Sequence, residues 1–341
     1  MGADLERRTL FFTAPGCVSI EGERIEQPGP GEVLVHSLFS AISPGTERRI
    51  YRGDFPKDQP VDSVLKGLAG TFQYPLKYGY SLVGEVTQLG EGVDSRWSGR
   101  RVFAFHPHES HFITPPEALF PIPGDIPSED AVFLPNMETA VNFVMDGSPV
   151  IGERVVVFGQ GIVGLLTTAL LVRFPLERLV TLDPYPMRRQ ASLDLGVNAS
   201  LNPADSDTIN KIRQEMEGGV DLVFELSGAA QALNQAIALA GFDGRIVIGS
   251  YYGESPIQLE LDWTFHRNRI RLISSQVSSL ASNLRGRWSK ERRFAVVWNM
   301  LRQVAPARFI THTFPIDEAE QAFQLIDRNP EESIQVIFTY E

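Results

Sequence analysis

The fold is decided by Arg154-Val155-Val156-Val157-Phe158-Gly159-Gln160-Gly161-Ile162-Val163-Gly164. The first five residues form an apolar run, which is typical of a strand buried on both faces. Glycines at the spacing GxGxxG follow, and an apolar stretch of helical length continues through Val172. A strand, a glycine turn and a helix in this order predict the first part of a parallel sheet that binds a dinucleotide.

Each glycine of this motif has a predicted task. Gly159 permits the tight turn, Gly161 lets the backbone approach a pyrophosphate, and Gly164 allows close packing of helix on strand. The helix that begins at Ile162 offers free N–H groups and partial positive charge to phosphates. The alternative is a glycine turn in an α/β domain that binds nothing.

The end of the next strand bears on the choice of cofactor. Asp183 follows Leu179–Leu182, about 20 residues beyond the last glycine, where a carboxylate binds the ribose hydroxyls of NAD and repels the 2′-phosphate of NADP. Arg188 and Arg189 follow and could bind that phosphate, or they form a solvated helix face. We therefore expect NAD and leave NADP open.

Strands and helices alternate after residue 151, whereas the preceding residues are rich in Gly, Pro and short β-type runs. The alternation predicts a doubly wound parallel sheet, and the short runs predict a compact β-rich domain. Residues 311–340 return to short strands around one helix. We predict an α/β protein with one domain at 1–150 plus 305–341 and another at 151–304.

Composition narrows the class of partner. The length of 341 residues is too great for one core, and the net charge of −11 argues against nucleic acid or an anionic membrane surface. Cys17 is the single cysteine, which excludes an internal disulfide and a cysteine-rich zinc site. The sequence has no signal-like apolar segment and no run long enough to span a bilayer. We expect a cytoplasmic protein with a small-molecule substrate.

The two halves together resemble the medium-chain dehydrogenase/reductase superfamily over nearly the whole chain. The motifs that carry this resemblance are Pro30–Val35, Gly79–Gly90, Gly99–Val102, Asp183–Gly196 and Asp221–Gly228. Within the superfamily, Ser40–Glu47 and Ile273–Val277 are most similar to the branch related to bacteriochlorophyllide dehydrogenase. The resemblance implies a GroES-like β-rich domain, a Rossmann domain, an active site in the cleft between them, and a homodimer.

The same resemblance implies further cofactor contacts. Thr139 is expected beside the nicotinamide and Val163 under its ring. Gly249 and Ser250 are expected near the adenosine half, and Ser275 and Gln276 near the carboxamide.

The chain departs from the zinc-dependent members of that superfamily. They hold catalytic zinc with a cysteine, the histidine of a Gly-His-Glu sequence and a later cysteine or acid. Here Ser43 stands at the first position and Tyr80, in Gly79-Tyr80-Ser81, at the second; the third falls near Pro135 or Asn136. Hydroxyls are poor zinc ligands, so we expect no zinc.

A cluster of histidines at His106–His111 is the other candidate metal site. Pro107 prevents the helical spacing that metalloprotease motifs use. We prefer a hairpin at a pocket mouth, with one of these histidines facing the substrate.

Hydride transfer without a metal needs side chains that polarise the substrate oxygen and move a proton. Tyr80 is the first candidate, because it stands at the lost ligand position, and Ser43 and Thr46 could extend a relay. Each also has a structural alternative, such as a packed tyrosine, turn residues or an ordinary ion pair. The remaining candidates are His108 for proton exchange, Glu47 to orient the group, and Glu138 as a second acid or base.

These observations predict a zinc-independent NAD(P)-dependent oxidoreductase that interconverts an alcohol and a carbonyl on a bulky organic substrate. The long segment Tyr51–Lys77 would line an apolar pocket with Tyr51, Phe55, Phe72 and Tyr74, or else would cover the β domain. One rival is an NADPH-dependent quinone or enoyl reductase. Another is a dinucleotide-binding sensor or structural protein that has lost catalysis.

Overall fold

A computed structural model of the protein describes residues 6–55, 72–253 and 256–341. The strands are β1 (Glu6–Ala14), β2 (Cys17–Arg24), β3 (Val33–Ala41), β4 (Leu82–Leu89), β5 (Arg101–Ala104), β6 (His111–Thr114), β7 (Phe120–Pro121), β8 (Arg154–Phe158), β9 (Arg178–Leu182), β10 (Ala199–Leu201), β11 (Val220–Glu225), β12 (Ala240–Ile248), β13 (Arg271–Ser274), β14 (Ile310–Pro315) and β15 (Gln335–Thr339). The helices are α1 (Glu47–Arg52), α2 (Ser128–Ala131), α3 (Leu134–Gly147), α4 (Ile162–Leu171), α5 (Pro186–Asp194), α6 (Thr208–Glu215), α7 (Ala230–Leu239), α8 (Trp263–Arg267), α9 (Lys290–Val304) and α10 (Ala319–Arg328).

The chain divides into two compact units. The first comprises Met1–Pro135 with Ala305–Glu341, and the second comprises Asn136–Val304. The sequence placed this boundary at residue 150, where the strand and helix alternation begins. The difference is helix α3, whose Phe143 lies in one hydrophobic cluster with Val155 and Val157 of β8 and so belongs to the second unit.

The first unit is built on a mixed sheet in the order β14-β15-β3-β4-β5-β7, with β6 paired to β3, and on the hairpin β1-β2. Helix α10 buries Ala319, Ala322, Phe323 and Ile326, spaced as one helical face, and Phe323 meets the Phe12 ring edge-on at 5.1 Å. Strand β15 lies between β14 and β3, so the last residues of the chain run alongside Ser40. This pairing places Tyr340, which follows β15, beside Ser40.

The second unit is a parallel sheet in the order β10-β9-β8-β11-β12-β13, which confirms the prediction from the glycine motif. Val155, Val156 and Val157 are fully buried, as expected for a strand covered on both faces. In such a sheet the carboxyl ends of the strands share one edge, and ligands bind there. The glycine loop follows β8, Asp183 follows β9, and Ser275 follows β13 at this edge.

Within the part of the chain that the structure describes, no helix has the length and apolar character needed to cross a bilayer.

Candidate active site

The glycine loop has the close contacts that the motif predicts. Gly159 adopts φ +86°, and a Cβ there would lie 2.7 Å from the backbone N of Ser227. A Cβ on Gly164 would lie 1.9 Å from the Gly159 carbonyl oxygen, which explains the need for glycine. At Gly161 the nearest atom to such a Cβ would be Arg188 Nη1 at 3.9 Å. These residues fit a dinucleotide, because the loop leaves room for phosphates at the N-terminus of α4.

Asp183 is fixed against this loop. Its carboxylate accepts hydrogen bonds from the backbone N–H of Gln160 at 2.7 Å and of Tyr185 at 2.9 Å, and the side chain is 3% exposed. Arg189 donates to the carbonyl oxygens of Asp183 and Pro184, at 2.9 and 2.7 Å. The carboxylate is thus oriented at the strand end where a ribose would lie.

Arg188 takes a different position from Arg189. Its guanidinium lies 4.8 Å from the centroid of the Tyr185 ring and approaches the open side of Gly161. A cation there suits a phosphate group of a bound nucleotide.

The other expected cofactor contacts lie in the second unit. Ile162 is buried at the start of α4, and the neighbouring Val163 is half-buried against the cluster of Val155 and Val157. Thr139 lies half-buried on α3. Contact of Ile162, Val163 and Thr139 with the cofactor therefore stays a prediction.

Gly249 and Ser250 follow β12. A Cβ on Gly249 would lie 2.3 Å from the Phe143 ring, so only glycine fits there. The Ser250 hydroxyl accepts from the N–H of Gly228 at 2.8 Å and lies 3.2 Å from the Glu225 carbonyl oxygen. These contacts fix the turn that precedes the expected adenosine site.

Glu138, Ser275 and Gln276 have protein partners in the second unit. Glu138 forms a buried ion pair with Arg293, with Oε1 2.5 Å from Nη2. Burial raises the pKa of Glu138, although Arg293 acts to lower it. Ser275 contacts Asn142 and Asp146, and the Gln276 amide binds Ser278. Sequence reasoning missed Arg293, which has no motif of its own.

Tyr80, Ser43 and Thr46 come together in the first unit. The Tyr80 hydroxyl donates to Ser43 Oγ at 2.6 Å and also forms a hydrogen bond with the Thr46 side chain. Burial raises the pKa of Tyr80 to about 12, although these hydrogen bonds act to lower it. The phenol therefore keeps its proton at neutral pH and can donate a hydrogen bond.

Glu47 and His108 form a second, fully buried group. Glu47 Oε2 lies 2.8 Å from His108 Nε2, and His108 Nδ1 lies 2.6 Å from Ser40 Oγ, which lies 2.6 Å from the Tyr340 hydroxyl. These three hydrogen bonds are all formed when the Tyr340 hydroxyl donates to Ser40 Oγ, the Ser40 hydroxyl donates to His108 Nδ1, and His108 Nε2–H donates to the Glu47 carboxylate. Ser40 and Tyr340 were not predicted, because a strand pairing across the whole chain brings them together.

The two groups meet through the backbone. Glu47 Oε1 accepts the N–H of Ser43 at 2.9 Å. Gly79, which precedes Tyr80, has φ +137°, and a Cβ there would lie 2.9 Å from His108 Cδ2. Because a backbone N–H does not relay protons, Glu47 and His108 act on Ser43 and Tyr80 by holding their backbone in place.

The other histidines of the predicted cluster have separate partners. His106 Nε2 lies 3.0 Å from Glu109 Oε2, and His111 stacks on His36 with ring centroids 4.7 Å apart. Among residues 6–55, 72–253 and 256–341, no three His, Cys, Asp or Glu side chains form a group that could hold a metal ion.

The residues at the family's zinc positions do not fit zinc. Ser43 and Tyr80 present neutral hydroxyls that hydrogen-bond to each other, and zinc ligands are thiolate, imidazole or carboxylate. Since a hydroxyl would have to ionise to bind the metal, the raised pKa of Tyr80 opposes that use.

A row of aromatic rings leads to Tyr80. We call it the aromatic row: Tyr74, Phe55, Phe72, Tyr78 and Tyr80, with successive ring centroids 5.8, 4.5, 6.4 and 6.2 Å apart. Tyr51, which was predicted to line a pocket, is instead buried against Phe323 at 5.4 Å. Residues 56–71 of the predicted pocket segment lie outside the described residues.

Known proteins resemble the chain in sequence and in fold. A family model described as zinc-binding dehydrogenase matches residues 163–295. L-threonine 3-dehydrogenase of Stenotrophomonas maltophilia (strain K279a) is 24% identical over 338 residues, which cover 90% of this chain and 92% of that protein.

Two solved structures share the architecture. The 2R,3R-butanediol dehydrogenase of Bacillus subtilis has a TM-score of 0.80 at 19% identity, covering 98% of this chain and 100% of that one. A protein from Escherichia coli CFT073, described as a short chain alcohol dehydrogenase complexed with NADH, has a TM-score of 0.78 at 21% identity, covering 98% and 99%. These likenesses confirm the predicted fold class, a GroES-like β-rich domain with a Rossmann domain.

Proposed function

We propose that the chain is a member of the medium-chain dehydrogenase family and an NAD(P)-dependent oxidoreductase that interconverts an alcohol and a carbonyl without catalytic zinc; the matches in sequence and fold support this proposal. The nicotinamide, when bound, supplies the acceptor or donor of hydride. The glycine loop and Asp183 would hold the adenosine and phosphate half of the cofactor.

The hydrogen bond between Tyr80 and Ser43 carries this proposal. In carbonyl reduction the oxygen gains negative charge, and a protonated hydroxyl aimed at it stabilises that charge. Tyr80 is suited to this task because its pKa is raised to about 12, so it carries a proton to donate. The phenol proton points to Ser43 Oγ in this structure; when it turns to the substrate oxygen, the Ser43 hydroxyl can rotate and donate to the phenol oxygen instead. Glu47 and His108 fix the backbone that carries Ser43 and Tyr80.

The absence of zinc is proposed from the chemistry of the donors. The family model that matches residues 163–295 is described as zinc-binding dehydrogenase, whereas this chain offers Ser43 and Tyr80 at the expected ligand positions. We further place the chain near the branch related to bacteriochlorophyllide dehydrogenase, on the strength of Ser40–Glu47 and Ile273–Val277.

A bulky organic substrate is proposed from the aromatic row. Phe55, Phe72 and Tyr74 are each half-buried, so part of each ring is open to an apolar partner. Aromatic side chains contribute large contact areas with defined ring geometry. A homodimer and a cytoplasmic location remain part of the proposal.

One observation favours a second candidate, an NADPH-dependent reductase. Arg188 lies beside the open side of Gly161, where a cation could bind a nucleotide phosphate. The two candidates differ in cofactor preference, because Asp183 repels a 2′-phosphate.

The first experiment is a fluorescence titration with NADH and NADPH in parallel. We expect NADH to bind about tenfold more tightly, and the reverse preference would favour the reductase. Absence of binding to both would contradict the whole proposal.

The second experiment measures zinc content and activity after chelation. L-threonine, 2,3-butanediol and aromatic alcohols would be screened with NAD⁺, with Tyr80→Phe as the matched variant. We expect substoichiometric zinc and activity that survives chelation. Stoichiometric zinc together with chelator-sensitive activity would contradict the proposal of zinc independence.

A further inference from the structure

Helix α3 carries a polar face in a mostly apolar sequence. Glu138, Asn142 and Asp146 lie four residues apart and therefore share one side of the helix. Glu138 is 5% exposed and Asn142 is 1% exposed, so these polar groups need partners inside the protein.

Arg293 of α9 supplies the main partner. It is 1% exposed, and it donates to Glu138 Oε1 at 2.5 Å, to Asn142 Oδ1 at 2.7 Å and to the carbonyl oxygen of Val277 at 2.7 Å. A planar guanidinium can reach three acceptors in different directions. Arg293 therefore joins α9, α3 and the segment after β13.

The same segment is held at its other end. Asn142 Nδ2 donates to Ser275 Oγ at 3.1 Å, and the Ser275 hydroxyl donates to Asp146 Oδ2 at 2.5 Å. The backbone N–H of Ser275 donates to the Ile248 carbonyl oxygen at 3.0 Å. We call Arg293, Glu138, Asn142, Asp146 and Ser275 the Arg293 network, and it fixes Ser275–Val277 from both sides.

The position of this segment gives the network a functional meaning. Ser275–Val277 follows the carboxyl end of β13, at the edge where parallel sheets bind their ligands. The Gln276 side chain turns back to Ser278, with Nε2 2.6 Å from Ser278 Oγ.

We propose that Arg293 is a positioning residue that holds Ser275–Val277 in the shape that binds the nicotinamide half of the cofactor. This inference rests on the proposed function, because it requires the second unit to bind a nicotinamide dinucleotide. Stability alone is a weaker explanation, since apolar side chains fill a core without the cost of desolvating charges. A guanidinium, with several N–H donors in one plane, can hold the Val277 carbonyl and the Asn142 side chain of α3 at the same time.

Comparing the binding of two ligands distinguishes a positioning role of Arg293 from a role in stability alone. NADH carries the nicotinamide, and ADP-ribose has the same adenosine, pyrophosphate and second ribose without it. Arg293→Lys keeps the charge but cannot reach all three acceptors. We expect it to weaken NADH binding about tenfold and to change ADP-ribose binding less than about twofold.

The matched control is Arg292→Lys on the same helix. Arg292 is exposed, lies 4.1 Å over the Trp288 ring and contacts the carbonyl of Arg287. We expect it to bind both ligands as the unchanged protein does. If Arg293→Lys does not fold, Asn142→Leu carries the test, because it removes the link between Arg293 and Ser275.

The result that overturns the inference is a parallel loss of NADH and ADP-ribose affinity, or no loss of either. An unchanged protein that binds NADH no better than ADP-ribose also overturns it, since the segment then makes no nicotinamide contact. Failure of the proposed function looks different, because neither NADH nor NADPH would bind. If only NADPH binds, the comparison uses NADPH and 2′-phospho-ADP-ribose.

Discussion

Removal of the His108 ring should loosen the first unit and leave the second unchanged. In His108→Ala the buried Glu47 carboxylate loses its contact with Nε2 and keeps the Ser43 N–H. The ring also packs edge-on against Phe338 at 5.2 Å, so a cavity remains. Loss of a hydrogen bond to a buried carboxylate costs about 1.5–3 kcal/mol, and the cavity adds to this cost, so we expect a total of about 3–5 kcal/mol. The same change in His106, which is half-buried, should cost about 1 kcal/mol, because Glu109 keeps Lys77 at 2.9 Å.

Amide hydrogen exchange measures this locally. Peptides from β3 report on the first unit, and peptides from β8 serve as an internal reference in the second. A loss of 3 kcal/mol corresponds to exchange in β3 faster by about two orders of magnitude. The reasoning is refuted if exchange in β3 changes less than about tenfold, if His106→Ala has the larger effect, or if β8 changes equally.

Four further predictions follow from particular contacts. Gly79→Ala should lower stability by about 1–3 kcal/mol in urea unfolding, and Gly45→Ala, where nothing lies within 4 Å, should change it little. Tyr80→Phe should lower the rate of carbonyl reduction about 100-fold. Because the pKa of Tyr80 is about 12, the unchanged enzyme should lose no activity through ionisation of the phenol between pH 7 and about 11. Asp183→Asn should improve NADPH binding relative to NADH about tenfold in parallel titrations, because a repulsive charge is removed. Burial and a neighbouring histidine lower the pKa of His111 from 6.5 to about 4. The contribution of the neutral His111 to stability should therefore be full above pH 6.5 and should decrease as the pH falls toward 4. His111→Phe should make the melting temperature less dependent on pH over this range.

Local patterns predicted the second unit well. Strand β8, the glycine loop, α4 and the end of β9 are consecutive in the chain, and their residues have strong strand, turn or helix preferences. The boundary at residue 150 was less accurate, because the assignment of α3 depends on where Phe143 packs. Sequence spacing does not contain that tertiary contact.

The site was only partly accessible from the sequence. Tyr80 and Ser43 were predicted as a pair through the resemblance, and the structure joins them at 2.6 Å. Tyr340 and Ser40 were missed because the register of β15 against β3 decides their contact. A signal for Arg293 did exist, since Glu138, Asn142 and Asp146 form a polar stripe on α3 that requires a buried partner.

The central position of β15 has a consequence for synthesis of the protein. The second unit is one continuous segment, Asn136–Val304, and it is translated before residues 335–339. The sheet of the first unit joins residues from both sides of that segment, because β3 pairs with β15. The second unit can therefore begin to fold while β3 still lacks β15 as its neighbour, and the first sheet is completed afterwards.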